Sequence, residues 1–292
     1  MKVGFIGAGK VGTAFGKFLI NKGISVIGYN SRSKESLKKT IQYTQTKEYS
    51  KVELIKNADV IFITVSDDTI QDVLESSIES FKRLDQKTFI HMSGAHSSKI
   101  LIKAFDKGAD VYSLHPLQSV SIVEKAVKDF EDTFFSIETI GELNDSIKEI
   151  LELIKDHFEI DSNQKAVYHM AACVFSNYLT TLMDLGLELT ASIGIEKEKA
   201  FKAMLPLVNG TLKNIETKGI ERSLTGPLAR GDVHTIETHL ESYEKLNESY
   251  EDFYRFMGLK TLDYIEKNDI LEADKIQLMK TTLEGNHEKN NN

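Results

Sequence analysis

Lys165 and His169 stand four residues apart in Asn163-Gln164-Lys165-Ala166-Val167-Tyr168-His169, a spacing that sets both side chains on one face of a helix. Ser176, eleven residues after Lys165, returns to that face, and Asn177, eight after His169, lies about 80° round from it at 100° per residue. Polar groups on so apolar a helix need partners. His115 opens His115-Pro116-Leu117-Gln118, where proline fixes the backbone behind the imidazole. These residue types suit reduction of a carbonyl. His115 or His169 would protonate an oxygen as charge develops on it, or Lys165 would polarise the carbonyl while Asn177 positions the substrate. Arg230, in Leu224-Thr225-Gly226-Pro227-Leu228-Ala229-Arg230-Gly231-Asp232, offers a planar fork for a substrate carboxylate, with Asp232 as N-cap of the helix that follows. Each also has a plainer reading, as a satisfied core group or a loop side chain.

Such groups need a scaffold and a source of electrons, and the first twelve residues describe both. Val3, Phe5 and Ile6 begin a strand that breaks into G-x-G-x-x-G at Gly7, Gly9 and Gly12. Val11, Phe15, Phe18 and Leu19 then recur at helical spacing until Gly23, and a second strand runs from Ile24 to Tyr29. The context is that of a dinucleotide-binding βαβ unit, in which Gly7 makes the tight turn, Gly9 admits a pyrophosphate and Gly12 lets helix and strand pack closely. Ala8, Lys10 and Val11 complete the turn at the helix N-terminus, whose N–H groups attract phosphate.

An NAD site places Asp or Glu at the end of the second strand for the ribose 2′-hydroxyl. Tyr29-Asn30-Ser31-Arg32-Ser33-Lys34 has no carboxylate there, and Asn30, Ser31 and Arg32 suit a 2′-phosphate, so NADP is the expected cofactor.

Strand-like and helical segments alternate through the first half, the pattern of a parallel, doubly wound α/β sheet. Further strands are expected at Ala58–Val65, Thr88–Met92, Asp110–Leu114 and Thr133–Glu138, then a helix from Asp145 to Phe158. Ligands bind outside the carboxyl ends of such strands. Val65, Ser66, Asp67 and Ser93 are therefore expected near the cofactor, and His115 near the chemistry. After Asp161 the sequence reads as all-helical. One long helix, covered on most faces, is expected from Ser162 to Ile193, followed by helices over Glu196–Lys218, Val233–Met257, Leu259–Glu266 and Glu272–Leu283. The expected organisation is a Rossmann-like domain over 1–161, a helical substrate and dimerisation domain over 162–285, and a disordered tail over 286–292.

Of 292 residues, 41% are hydrophobic and 27% charged, enough for two cores. The net charge of −8 argues against nucleic acid as a partner. A single cysteine, Cys173, rules out an intrachain disulfide. No apolar run approaches the ~18 residues of a membrane span, and the N-terminus lacks a signal-peptide pattern, so a cytoplasmic protein is expected. No metal is called for.

Taken together, G-A-G-K-V-G, N-S-R-S, S-G-A-H-S-S, H-P-L-Q-S, Y-H-M-A-A-C-V-F-S-N-Y-L and L-T-G-P-L-A-R-G-D resemble, over nearly the whole chain, a reductase family that joins a Rossmann-like NADP-binding domain to a helical C-terminal domain. That family includes the PanG-type ketopantoate reductases. The resemblance implies a helical domain like the C-terminal domain of 6-phosphogluconate dehydrogenase, and a homodimer reducing 2-dehydropantoate to pantoate in pantothenate and coenzyme A synthesis. The better-known ketopantoate reductases pair lysine and asparagine one helical turn apart. Here His169 stands one turn beyond Lys165, and Asn177 lies further on. Two alternatives remain: an imine reductase of the pyrroline-5-carboxylate type, and a non-catalytic NADP(H) sensor.

Overall fold

In the computed structural model, which describes residues 1–243 and 248–285, packing divides the chain after Tyr178. The first unit is built from β1 (Lys2–Ile6), α1 (Lys10–Asn21), β2 (Ser25–Asn30), α2 (Lys34–Thr44), β3 (Lys47–Glu48), α3 (Lys51–Asn57), β4 (Val60–Ile63) and α4 (Ile70–Ile78). It continues through β5 (Thr88–His91), α5 (Ile102–Phe105), β6 (Asp110–Pro116), α6 (Val123–Asp129), β7 (Phe134–Thr139), α7 (Asp145–Leu151), β8 (Asp156–Glu159) and α8 (Lys165–Cys173). The sheet order is β3-β2-β1-β4-β5-β6-β7-β8. Its first six strands have the order of a dinucleotide-binding sheet.

Both faces of the sheet are covered, so its central strands are continuously apolar: β4 is Val-Ile-Phe-Ile, buried throughout. On one face the Phe15 ring packs against Phe18, Phe62, Phe130 and Phe135 with centroids 5.4–5.8 Å apart. On the other, Ile6, Leu54, Ile61, Phe89 and Leu101 form a second cluster. Helix α1 ends as expected at Gly23, whose φ of +88° suits a residue without Cβ. Beneath α1, Tyr29 of β2 occupies room that Gly16 leaves open, since a Cβ there would overlap its hydroxyl. That hydroxyl donates to the Gly12 carbonyl at 3.3 Å.

Three expectations for this unit need correction. The sheet is not wholly parallel, because β7 runs antiparallel to β6. The helix expected from Asp145 to Phe158 ends at Leu151, and Asp156–Glu159 instead forms edge strand β8, paired parallel to β7. Pairing across the sheet overrides the local pattern there, and the charged residues of Asp-His-Phe-Glu suit an exposed edge. The run expected as one uniform helix from Ser162 to Ile193 consists of a 3₁₀ turn (Ser162–Gln164), α8, a π-helical turn (Val174–Tyr178) and a further helix. The division between units falls within this run, beyond the expected boundary at Asp161, because buried Lys165 ties α8 to the sheet.

The second unit contains α9 (Leu179–Ser192), α10 (Lys197–Lys218), α11 (Pro227–Arg230), α12 (Val233–Tyr243), α13 (Glu248–Lys267) and α14 (Ala273–Glu284). Ile236, Leu262, Ile265, Ile276, Met279 and Leu283 form its core. Asp232 caps α12 as expected, accepting from the Thr235 amide at 3.1 Å. The break expected between Met257 and Leu259 is absent. Gly258 lies inside α13, where a Cβ would come within 2.8 Å of the Leu283 side chain, so the glycine serves helix packing. The run from Ser162 to Ile193 is also less covered than its apolar content implied: Val167, Met170, Phe175 and Leu182 are exposed, as are Leu207 and Leu212 of α10. The tail expected over 286–292 lies outside the described residues. Among the described residues no helix is long and apolar enough to cross a membrane.

Candidate active site

The Gly-rich turn opens a cleft of about 600 Å³ at the carboxyl ends of β1, β2 and β4, lined by Gly7, Ala8, Gly9, Asn30, Ser31, Arg32, Val65 and Ser66 among others. Gly7 has φ of +120°, and a Cβ on it would strike the Thr64 carbonyl. At Gly9 the nearest atom to such a Cβ is the Thr64 carbonyl oxygen at 3.8 Å, leaving room for a ligand's phosphates. Gly12 faces inward, its missing Cβ replaced by the Thr64 side chain. Lys10 and Val11 form the first turn of α1, and Gly9 is its N-cap. Asn30 lines the cleft while donating to the Tyr49 carbonyl at 2.7 Å. Lys34 is paired with Glu48 at 2.6 Å.

A second cluster gathers at the ends of β5 and β6. Lys165, only 2% exposed, donates to the Ser113 hydroxyl at 2.8 Å and the Ser93 carbonyl at 3.1 Å. Burial lowers its pKa to about 8, with Glu138 and Asp67 acting in the opposite sense. The ammonium therefore holds its proton at neutral pH but sits close to the range where it can give one up. Glu138 is itself buried and accepts from the Ser98 amide at 2.5 Å and the Ser98 hydroxyl at 3.0 Å. Asp67 accepts from the Ser93 hydroxyl at 2.7 Å.

His115 presents Nδ1 to the Tyr168 hydroxyl at 2.7 Å, and its ring lies edge-on to His169 with centroids 6.3 Å apart. Burial, then the charges of Lys165 and His169, push its pKa down to about 3. His91, beneath the cluster, is driven to the same value by burial and Lys165. A neutral His115 can orient or relay but is not a standing acid. His169 Nδ1 is buried with no hydrogen-bond partner among the described residues, and its Nε2 lies 3.7 Å from Cys173 Sγ. Both rings converge on Gly94, where a Cβ would lie 2.7 Å from His169 Nδ1 and 2.8 Å from His115 Nε2.

The structure thus brings together His115, Lys165 and His169, with Ser93 and Asp67 beside them. It leaves Asn177 exposed on the π-helical turn, where α-helical phasing from Lys165 no longer applies. Arg230 is exposed at the end of α11 in the second unit. Sequence reasoning missed Tyr168, although its i,i+3 spacing from Lys165 puts the two side chains on one face. It also missed Lys51 and Ser36, which line the cofactor cleft. The Ser50–Glu53 capping box could have located the helix start that carries Lys51.

Two family models match parts of the chain. Residues 2–93 match the family described as NADP oxidoreductase coenzyme F420-dependent, and residues 133–261 match a domain of unknown function, DUF2520. No curated protein matches. Among solved structures, a provisionally assigned NADP oxidoreductase from Bacteroides fragilis is 22% identical with a TM-score of 0.71, covering 88% of this chain and 96% of its own. Protein TM1727 from Thermotoga maritima is 27% identical with a TM-score of 0.67, covering 97% and 98%. Pyrroline carboxylate reductase from Plasmodium falciparum, solved with NADP bound, is 16% identical with a TM-score of 0.59, covering 96% and 98%. The chain shares their fold, a Rossmann-like α/β region followed by a helical one, and the glycine cradle and carboxylate-free loop at Arg32 fit NADP(H), which the matching family's description names beside coenzyme F420.

Proposed function

We propose that the chain is an NADPH-dependent reductase acting on a small 2-keto carboxylate, with 2-dehydropantoate as the substrate to test first. The observation that carries this reading is the buried Lys165 ammonium, held by Ser113 and Ser93 with a pKa near 8 beside two imidazoles. Bound NADPH would supply a hydride. Reduction of a ketone also needs a proton at the oxygen, and Lys165 Nζ is the group proposed to provide it. Two of its three N–H donors fix its position. Neutral His115, braced by Tyr168, lines the same cluster and would steer the carbonyl. The residues that hold the cofactor are Gly7 and Gly9 at the pyrophosphate and Ser31 and Arg32 at the 2′-phosphate.

A second reading, reduction of an imine, draws support from the likeness to pyrroline carboxylate reductase and to a reductive aminase from Aspergillus terreus, 11% identical with a TM-score of 0.61. A protonated imine already carries its charge and needs no acid, so Lys165 would be less important for it. The deciding assay follows NADPH oxidation with 2-dehydropantoate, pyrroline-5-carboxylate and unrelated 2-keto acids. Fastest turnover of 2-dehydropantoate supports the first reading, and faster turnover of the imine replaces it. Tight NADPH binding without turnover of any of them points to a sensor. The exposed apolar side chains of Val167, Phe175, Leu207 and Leu212 support a homodimer, which light scattering would report directly.

A further inference from the structure

Lys51 was not expected to have a role, yet it lines the cofactor cleft together with Arg32, Ser31, Ser33 and Ser36. It is the first residue of α3, directly after the Ser50 N-cap. Its half-buried side chain is held by a hydrogen bond from Nζ to the Ser76 hydroxyl of α4 at 2.8 Å. Arg32 and Lys51 both line the cleft, and burial followed by the charge of Arg32 lowers the pKa of Lys51. Among the described residues no carboxylate lines that space. Glu48, which accepts from Lys34 at 2.6 Å, and Glu53, which accepts from the Ser50 hydroxyl at 2.6 Å, are not among the residues lining the cleft. Two cations lining one cleft that has no carboxylate in its lining repel, and a dianion bound there removes the repulsion.

We propose that Lys51 is a second, independent determinant of cofactor choice, and that the 2′-phosphate of NADP(H) is clamped between Arg32 from the loop after β2 and Lys51 from the start of α3. This rests on the reading of the cleft as an NADP(H) site. The chemistry is complementary: Arg32 offers a planar fork and Lys51 a point charge, so the phosphate is gripped from two elements of the sheet's edge. The Ser36 hydroxyl, which accepts from the Ser33 hydroxyl at 3.1 Å, stands beside it with its own proton as a further donor. Because Ser76 fixes the lysine from behind, little side-chain freedom is lost on binding.

The test uses the full-length protein and two cofactor fragments, 2′,5′-ADP and 5′-ADP, in calorimetric titrations that need no turnover. The unmodified protein is expected to prefer 2′,5′-ADP by at least about tenfold. Lys51→Ala should lower affinity for 2′,5′-ADP about tenfold or more and leave 5′-ADP within about twofold, while Lys51→Arg should retain most of the preference. Lys51→Glu should abolish it. If Lys51→Ala weakens both fragments equally, or neither, Lys51 is no part of the clamp, even where Arg32→Ala proves selective. If the unmodified protein shows no preference, the NADP(H) reading itself falls, and with it this proposal.

Discussion

The Nδ1 atom of His115 lies 2.7 Å from the Tyr168 hydroxyl, which joins the end of β6 to α8 by a bond between two partly buried groups. Tyr168→Phe would leave the imidazole nitrogen without its partner in a poorly solvated place. The expected cost is about 1–3 kcal/mol of stability, read from urea unfolding at neutral pH. The same site should show in acid. With the folded pKa of His115 near 3 against an ordinary 6.5, the unfolded chain binds the proton first, so stability is lost as pH falls from about 6.5 towards 3. His115→Gln should make that part of the curve shallower, with His91, whose pKa is also lowered to about 3, keeping the remainder. An unchanged slope would mean that His115 does not titrate with the fold.

Lys165 gives the opposite window. If its ammonium protonates the product oxygen, kcat/KM should fall above about pH 8, where the group loses its proton. Lys165→Met should keep NADPH affinity and lose on the order of 10²–10⁴ in turnover. Stability moves the other way: a folded pKa of about 8 against an ordinary 10.5 means that the burial penalty is relieved as pH rises between those values. The unmodified protein should therefore gain on the methionine variant over that range. A pH–rate profile flat to pH 10 would remove Lys165 from the chemistry.

Arg32→Ala should weaken NADPH by about 1.5–3 kcal/mol, the range for a hydrogen bond to a charged group, and leave NADH nearly unchanged. Fluorescence titration of both cofactors reads this directly. An equal loss for the two would place the arginine outside the 2′-phosphate site.

Gly94→Ala inserts a methyl group 2.7–2.8 Å from the His169 and His115 rings. Rings yield less easily than chain ends, so overpacking of about 1–3 kcal/mol is expected, together with a fall in turnover as the imidazoles separate. Thermal unfolding and a single-substrate assay would check both. A fully active, equally stable variant would show that the two rings have room to move.

What was legible in the sequence was what is local. The Gly7–Gly12 turn, the Gly23 stop and the Asp232 cap each depend on a few neighbouring residues, and each appears where its pattern placed it. Features set by distant partners were not legible. β8 exists through pairing with β7, and its own residues read as the end of a helix. Gly258 reads as a break, yet it lies inside α13 with the Leu283 side chain of another helix packed where a Cβ would be. At the candidate site, the spacing of Lys165 and His169 predicted a shared face. Nothing local showed that Lys165 would be buried among Ser93 and Ser113, or that burial and its charge would make His115 a poor acid. The phase assigned to Asn177 assumed a continuous α-helix, whereas the residue lies on a π-helical turn that neither residue type nor periodicity marked in advance.

Tyr29 is the penultimate residue of β2, just before the loop that carries Arg32, and its ring is wedged beneath α1 at Gly12 and Gly16. The ring acts as a gauge block between the glycine turn and that loop, so the distance between them is fixed when the sheet folds rather than when a ligand arrives. A molecule long enough to touch both meets two grips already at a set separation. Its two ends then reinforce each other as linked binding events do, and the whole dinucleotide should bind far more tightly than either half alone suggests.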